Sequence, residues 1–203
     1  VLVGDVDATA AGLERLPGSA RQVEFLELFL TLAGVDVRAL SGQQATFERL
    51  RQAIAGAQVL DIAAHGSFPD ETSLFDHAFH LTPDLRSDGR VTADQVRALH
   101  LDAASVVLGV CNGGAYRVGP GDEPYGLVPA FLEAGAVNVI AAQWPVADEL
   151  AADLLIQVGT DLPRLGAAEA LRRGILGLRD GIGDAAASLG FVCVGDGSAP
   201  VRD

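Results

Sequence analysis

The chain has 203 residues, a net charge of −13 and no lysine at all. At 49% hydrophobic it can bury a sizeable core, and its length suits a single compact α/β domain. The arginines are scattered apart from the pair Arg172-Arg173, so no basic stripe exists to neutralise phosphates, and neither nucleic acid nor an acidic membrane is an expected partner.

Val1-Leu2-Val3-Gly4 reads as a short buried strand. Ser19-Ala20-Arg21-Gln22 has the form of a capping box, and Val23, Leu26, Leu30 and Ala33 follow at helical spacing until Gly34. Val35-Asp36-Val37 is predicted as a second short strand. A second helix is predicted from Gln43 to Ala55, with Phe47, Leu50 and Ile54 on one face. Val59 to Ala64 is a mostly apolar strand that ends at His65-Gly66. Ser67 to Arg90 is expected to be irregular, with Pro69, Pro83 and an Asp88-Gly89 turn, and with a small hairpin around Ala78 to Leu81. Thr92 to Gln95 is a second capping box, opening a short helix through Val96 and Leu99.

Ser105 to Val110 is the clearest strand and ends at Cys111-Asn112-Gly113-Gly114. A Gly/Pro-rich loop from Ala115 to Pro124 leads to a helix over Tyr125 to Ala134. Val137 to Ala142 is a buried strand closed by Trp144-Pro145. Two helices follow, from about Asp148 and Ala167, and Phe191 to Val194 is a final strand. Alternating helices and fully apolar strands predict a mostly parallel sheet covered on both faces, in one domain over residues 1–203.

The two cysteines, Cys111 and Cys193, are too few for a disulfide framework. No signal peptide is apparent, and no apolar run approaches the ~20 residues of a membrane span. A cytoplasmic setting with reduced thiols is the expectation. The chain holds no methionine and opens directly on a strand, which predicts a fragment of a longer, multidomain protein.

In open parallel sheets, sites lie at the carboxyl ends of strands. Two strands here end in reactive residues, His65 and Cys111, 46 residues apart. That order and spacing match the layout of caspase-type enzymes, whose His lies ~50 residues upstream of the Cys. A thiolate is the nucleophile in such chemistry, and a neighbouring imidazole protonates the leaving amine. The N–H groups of Gly66 and Cys111 are candidates for an oxyanion hole.

A family resemblance rests on several segments. They are Ile62-Ala63-Ala64-His65-Gly66, Asp88-Gly89-Arg90-Val91-Thr92, Val107 to Gly114, Gly121-Asp122-Glu123, Gly126 to Ala136 and Ala142 to Asp148. Together they resemble the CHAT domain, of the caspase, separase and gingipain group of cysteine peptidases, over essentially the whole chain. The resemblance implies a caspase-like three-layer α/β/α sandwich and a His65/Cys111 dyad. It also implies a protein substrate and a separate or upstream sensor or repeat module. Gly109-Val110-Cys111 stands where such sequences commonly carry Ser-Ala-Cys.

Trp144 and Asp148 are candidate substrate-binding residues because they follow a strand end beside the expected site. Packing over the sheet is the competing role for Trp144, and capping the next helix is the competing role for Asp148. His77 and His80, with Asp76, lie too irregularly for a metal site and read as partly exposed loop residues. Cys193 reads as core. No phosphate loop or dinucleotide fingerprint occurs, and no cofactor is expected. The function expected is a cysteine endopeptidase. A catalytically silent scaffold of the same fold and a small-molecule amidase are the alternatives.

Overall fold

The computed structural model describes residues 1–68, 76–102, 104–119, 121–182 and 190–197. Part of the stretch expected to be irregular (69–75) and Pro120 lie outside the described residues. The main sheet has six strands: β1 (Leu2–Val6), β2 (Ala39–Gly42), β3 (Val59–Ala64), β7 (Ser105–Val110), β10 (Asn138–Ala142) and β11 (Phe191–Gly195). Their order is β11-β10-β7-β3-β1-β2. All neighbours run parallel except the last, since β11 pairs antiparallel with β10.

Helices cover both faces. α2 (Phe47–Ala53), α3 (Ala93–Arg97) and α4 (Leu127–Glu133) lie on one, and α1 (Pro17–Leu32), α5 (Asp148–Leu165) and α6 (Ala167–Ile182) on the other. The two-residue period of a strand explains this. Val106, Leu108 and Val110 of β7 join Leu50, Val96 and Phe131 in one core. Val107, between them, joins Leu155 and Leu162 in the other. With both faces buried, each such side chain contributes roughly 1.5–3 kcal/mol, which is why these strands are apolar throughout.

The predicted strands β3 and β7 and the α3 capping box are present as expected. Thr92 accepts from the Gln95 N–H while the Gln95 side chain accepts from the Thr92 N–H. Other expectations need correction. Helix α1 begins at Pro17, two residues before the expected capping box, with Leu16 at the N-cap position. Ser19 is spent elsewhere: its Oγ donates to the Ala63 carbonyl at 2.7 Å and accepts from the Asp5 N–H.

Val35-Asp36-Val37 is not a strand. Gly34 takes a left-handed φ of 82°, and the Val35 N–H reaches back to the Leu30 carbonyl at 2.9 Å, which closes the helix in a Schellman-type cap. The strand begins later, where Ala39 comes level with Leu2 of β1. The Gly/Pro-rich loop holds a small hairpin, β8 (Arg117–Val118) with β9 (Pro124–Tyr125), closed by a Gly119 N–H to Glu123 carbonyl bond.

A second, three-stranded sheet follows β3 directly: β4 (Gly66–Ser67), β5 (Ala78–His80) and β6 (Arg90–Thr92). His77 lies in the loop just before β5, but it is not partly exposed as expected. His77 is only 1% exposed and meets Phe68 edge-on at 4.1 Å, with no hydrogen-bond partner on either ring nitrogen among the described residues. Burial and the charge of Arg117 hold its pKa below the usual value.

Candidate active site

Register decides where the two reactive residues fall. β3 and β7 pair in parallel with Ala64 opposite Val110. The next residue on each strand is His65 and Cys111, so the chain leaves the sheet with imidazole and thiol on neighbouring strand ends, whose usual spacing is ~4.8 Å. His65 is partly buried and Cys111 is exposed. Both line one cavity of about 120 Å³ at the carboxyl end of the sheet.

The imidazole is held from an unexpected quarter. Its Nε2 lies 2.7 Å from the carbonyl oxygen of Glu14, in the segment that leads into α1. A carbonyl only accepts, so Nε2 carries the hydrogen. In the neutral ring Nδ1 is then the acceptor, able to take a proton from a thiol. The Cys111 sulphur itself contacts the Val146 carbonyl at 3.7 Å, and among the described residues no hydrogen bond joins it to the ring.

The turn after Cys111 is sharply bent. Asn112 has a left-handed φ of 56°, which Asn tolerates better than most residues. The Gly113 N–H bonds the Val110 carbonyl, and the Gly114 N–H ties the turn to the end of β10 through Ala142 at 2.7 Å. The bend turns the chain back over the sheet end and leaves the thiol exposed.

Gly66 is pressed against this turn. A Cβ there would collide with the Cys111 carbonyl oxygen and lie 2.7 Å from the Val110 side chain. The His80 N–H bonds the His65 carbonyl at 2.9 Å, so by antiparallel alternation the Gly66–Phe79 pair makes no ladder bonds. The Gly66 N–H therefore points away from β5. Gly66→Ala is expected to cost about 1–3 kcal/mol through this clash. Urea unfolding of the variant checks it, and an unchanged midpoint would refute it.

Asp148 lines the same cavity, but it does not cap its own helix. Its Oδ2 accepts from the Gly18 N–H at 2.5 Å and its Oδ1 from the Ser19 N–H at 3.1 Å. It thus caps α1, whose N-cap residue Leu16 has no acceptor to offer. The remaining walls are mostly apolar, with Leu16, Val146 and Phe191 among them. Trp144 is 42% exposed and is not part of this lining; its indole lies over Gly190 at the start of β11. Leu16 and the Glu14 carbonyl were missed by sequence reasoning, because neither a leucine nor a main-chain oxygen carries a signal in sequence.

Comparison with known proteins bears on this arrangement. The CHAT domain family matches residues 2–192. The chain belongs to the CHAT domain family. Among solved structures, this CHAT domain is similar to the Arg-specific cysteine proteinase gingipain R (RgpB), with a TM-score of 0.67 and 13% identity. That match covers 91% of this chain and 43% of the other. It is also similar to the complex of the pro- and mature domains of Porphyromonas gingivalis RgpB, with a TM-score of 0.63 and 14% identity, over 91% and 44%. At such identities the likeness is one of fold, the caspase-like fold of these cysteine proteinases, and the CHAT domain spans less than half the length of either neighbour. No curated protein sequence matches it. Among the described residues no helix is long and apolar enough to cross a membrane, and no group of three His, Cys, Asp or Glu is placed to hold a metal ion.

Proposed function

We propose that this CHAT domain is a cysteine endopeptidase with Cys111 as nucleophile and His65 as base and acid. The observation that carries the reading is the strand register, which sets the two side chains on adjacent strand ends over one cavity. His65 Nδ1 takes the thiol proton and the sulphur attacks the peptide carbonyl. The oxyanion rests on the N–H groups of Gly66 and Cys111. The ring returns the proton to the departing amine, and water then hydrolyses the thioester. The Glu14 carbonyl holds the tautomer that these transfers need, much as a buried acceptor does in the serine triad.

The residue before the cut bond enters the cavity. Apolar walls suit an aliphatic stem, and Asp148, the one acid in the lining among the described residues, suits a cationic head. Its two oxygens each hold one N–H of α1 and keep lone pairs for a further donor. Arg or Lys is the preferred residue in this reading. Trp144, exposed outside the cavity lining, serves as a substrate contact beyond it, and a sensor module or partner protein governs activity.

Digestion of a broad peptide library, read by mass spectrometry, tests the proposal. Cuts after Arg and Lys are expected, and Asp148→Asn should lower their kcat/KM by about 10–100-fold, an effect of 1.4–2.7 kcal/mol on the transition state. Cuts after apolar residues, unchanged in Asp148→Asn, would refute the basic preference while leaving the peptidase standing.

A second reading keeps the fold and lacks catalysis. It is favoured by the Cys111 sulphur resting against the Val146 carbonyl and not against His65. Catalytic hydrogen bonds are often loose without substrate, so this contact does not outweigh the register. Failure of Cys111 to react with an electrophilic peptide, in the chain and in its natural complexes, would favour the scaffold.

A further inference from the structure

Helix α1 is apolar on two sides. Its inner face, with Val23 and Leu26, packs on the sheet with Leu2. Its outer face carries Phe25, Leu28, Phe29 and Leu32, at positions i, i+3, i+4 and i+7. These are 44%, 63%, 43% and 79% exposed, the phenylalanines stacked at 6.0 Å. A globular helix ordinarily turns a polar face outward, and one that is apolar all round is a buried helix. A contiguous seam of four large side chains at this spacing is the footprint of a helix-on-helix contact.

The rim states what the occupant must carry. Glu24, one turn before Leu28, flanks the seam, and Glu27 is exposed one turn beyond Glu24; neither has an ion-pair partner among the described residues. Arg21, the only cation of the helix, is already shared between Glu149 at 2.9 Å and Asp153 at 2.8 Å, both from α5. The field around the seam is therefore acidic. A second copy of this chain, packed α1 against α1, would bring two acidic helix faces together, with Arg21, the one cation of each helix, already engaged by α5. An anionic membrane surface is repelled for the same reason.

We infer that the outer face of α1 is a docking surface for an amphipathic helix of a partner protein, one whose apolar seam is flanked by Lys or Arg. The inference does not depend on Cys111 being catalytic. Its position matters nonetheless, since the same helix holds Asp148 through Gly18 and Ser19, and Leu16 at its start lines the cavity.

The test uses a display library of helical peptides with a fixed Leu seam and flanking positions randomised between Lys and Glu. It is selected on the 203-residue chain carrying Cys111→Ala, so that bound peptides stay uncut. Lys-flanked helices should be enriched over Glu-flanked ones by about ten-fold or more. The double variant Leu28→Glu/Leu32→Glu should lose all enrichment. The double variant Glu24→Lys/Glu27→Lys, which keeps the apolar seam, should invert the preference. Circular dichroism confirms that both variants fold. No enrichment on the unaltered face overturns the inference, as does a charge preference that Glu24→Lys/Glu27→Lys leaves unchanged. Sedimentation as a dimer that Leu28→Glu/Leu32→Glu disperses would assign the face to self-association and overturn it equally.

Discussion

Replacing Cys111 with alanine is expected to lower kcat for peptide cleavage by about 10⁴–10⁶-fold while leaving the fold intact. Removing a nucleophile from a unit that acts together costs about as much as removing the whole unit, because the remaining groups have nothing to act on. The alanine is also sterically cheap. Cys111 is exposed and among the described residues its sulphur makes one long contact, to the Val146 carbonyl, so the unfolding free energy read from urea titration should stay within about 0.5 kcal/mol of the unaltered protein. The pairing of a large kinetic loss with a small stability change separates a catalytic role from a structural one.

His65→Ala should fall by a similar factor, since in the proposed mechanism its Nδ1 serves both half-reactions. The double variant should be no worse than either single one. Cleavage that survives Cys111→Ala at more than about a hundredth of the original rate would sink the dyad.

The strands that build this site are legible in sequence because burial on both faces demands unbroken apolar runs. Val59–Ala64 and Ser105–Val110 have no other reading, and their ends name His65 and Cys111. The boundaries that failed did so for identifiable reasons. Ser19-Ala20-Arg21-Gln22 has the letters of a helix start, but Ser19 Oγ is drawn to the Ala63 carbonyl across the sheet, and the cap comes from Asp148, 130 residues away. A capping pattern is local, whereas that acceptor arrives through tertiary structure. Val35-Asp36-Val37 has strand composition, yet Val35 closes the helix before it.

The same limit applies to the site. Sequence places His65 and Cys111 at strand ends, but only register makes them neighbours, and only the path of the chain before α1 brings the Glu14 carbonyl to Nε2. Asp148 was legible as a residue near the site. Its attachment to α1 was not.

Asp61→Asn is expected to stabilise the protein, and more so as pH rises. Asp61 sits in the middle of β3, 1% exposed. Its Oδ1 accepts from Gln22 Nε2 at 2.7 Å, and its Oδ2 has no partner among the described residues. Burial pushes the carboxyl up from 3.8 to about 7, against the opposing pull of the Gln22 bond. The folded state therefore binds this proton more tightly than the unfolded chain does. Stability from that proton is complete below pH 4, declines as pH rises between about 4 and 7, and is gone above about 7. The whole span is worth roughly 4 kcal/mol, from three pKa units at 1.36 kcal/mol each.

Asparagine keeps the acceptor for Gln22 and has nothing to ionise. The two proteins should be close in stability near pH 4, and the variant should lead by several kcal/mol at pH 8. Urea unfolding of both at these two pH values reads the difference directly, with every other titrating group common to the pair. A gap that does not widen with pH would mean that Asp61 is ionised in the fold at neutral pH. It would then have found a cation or an ordered water for Oδ2.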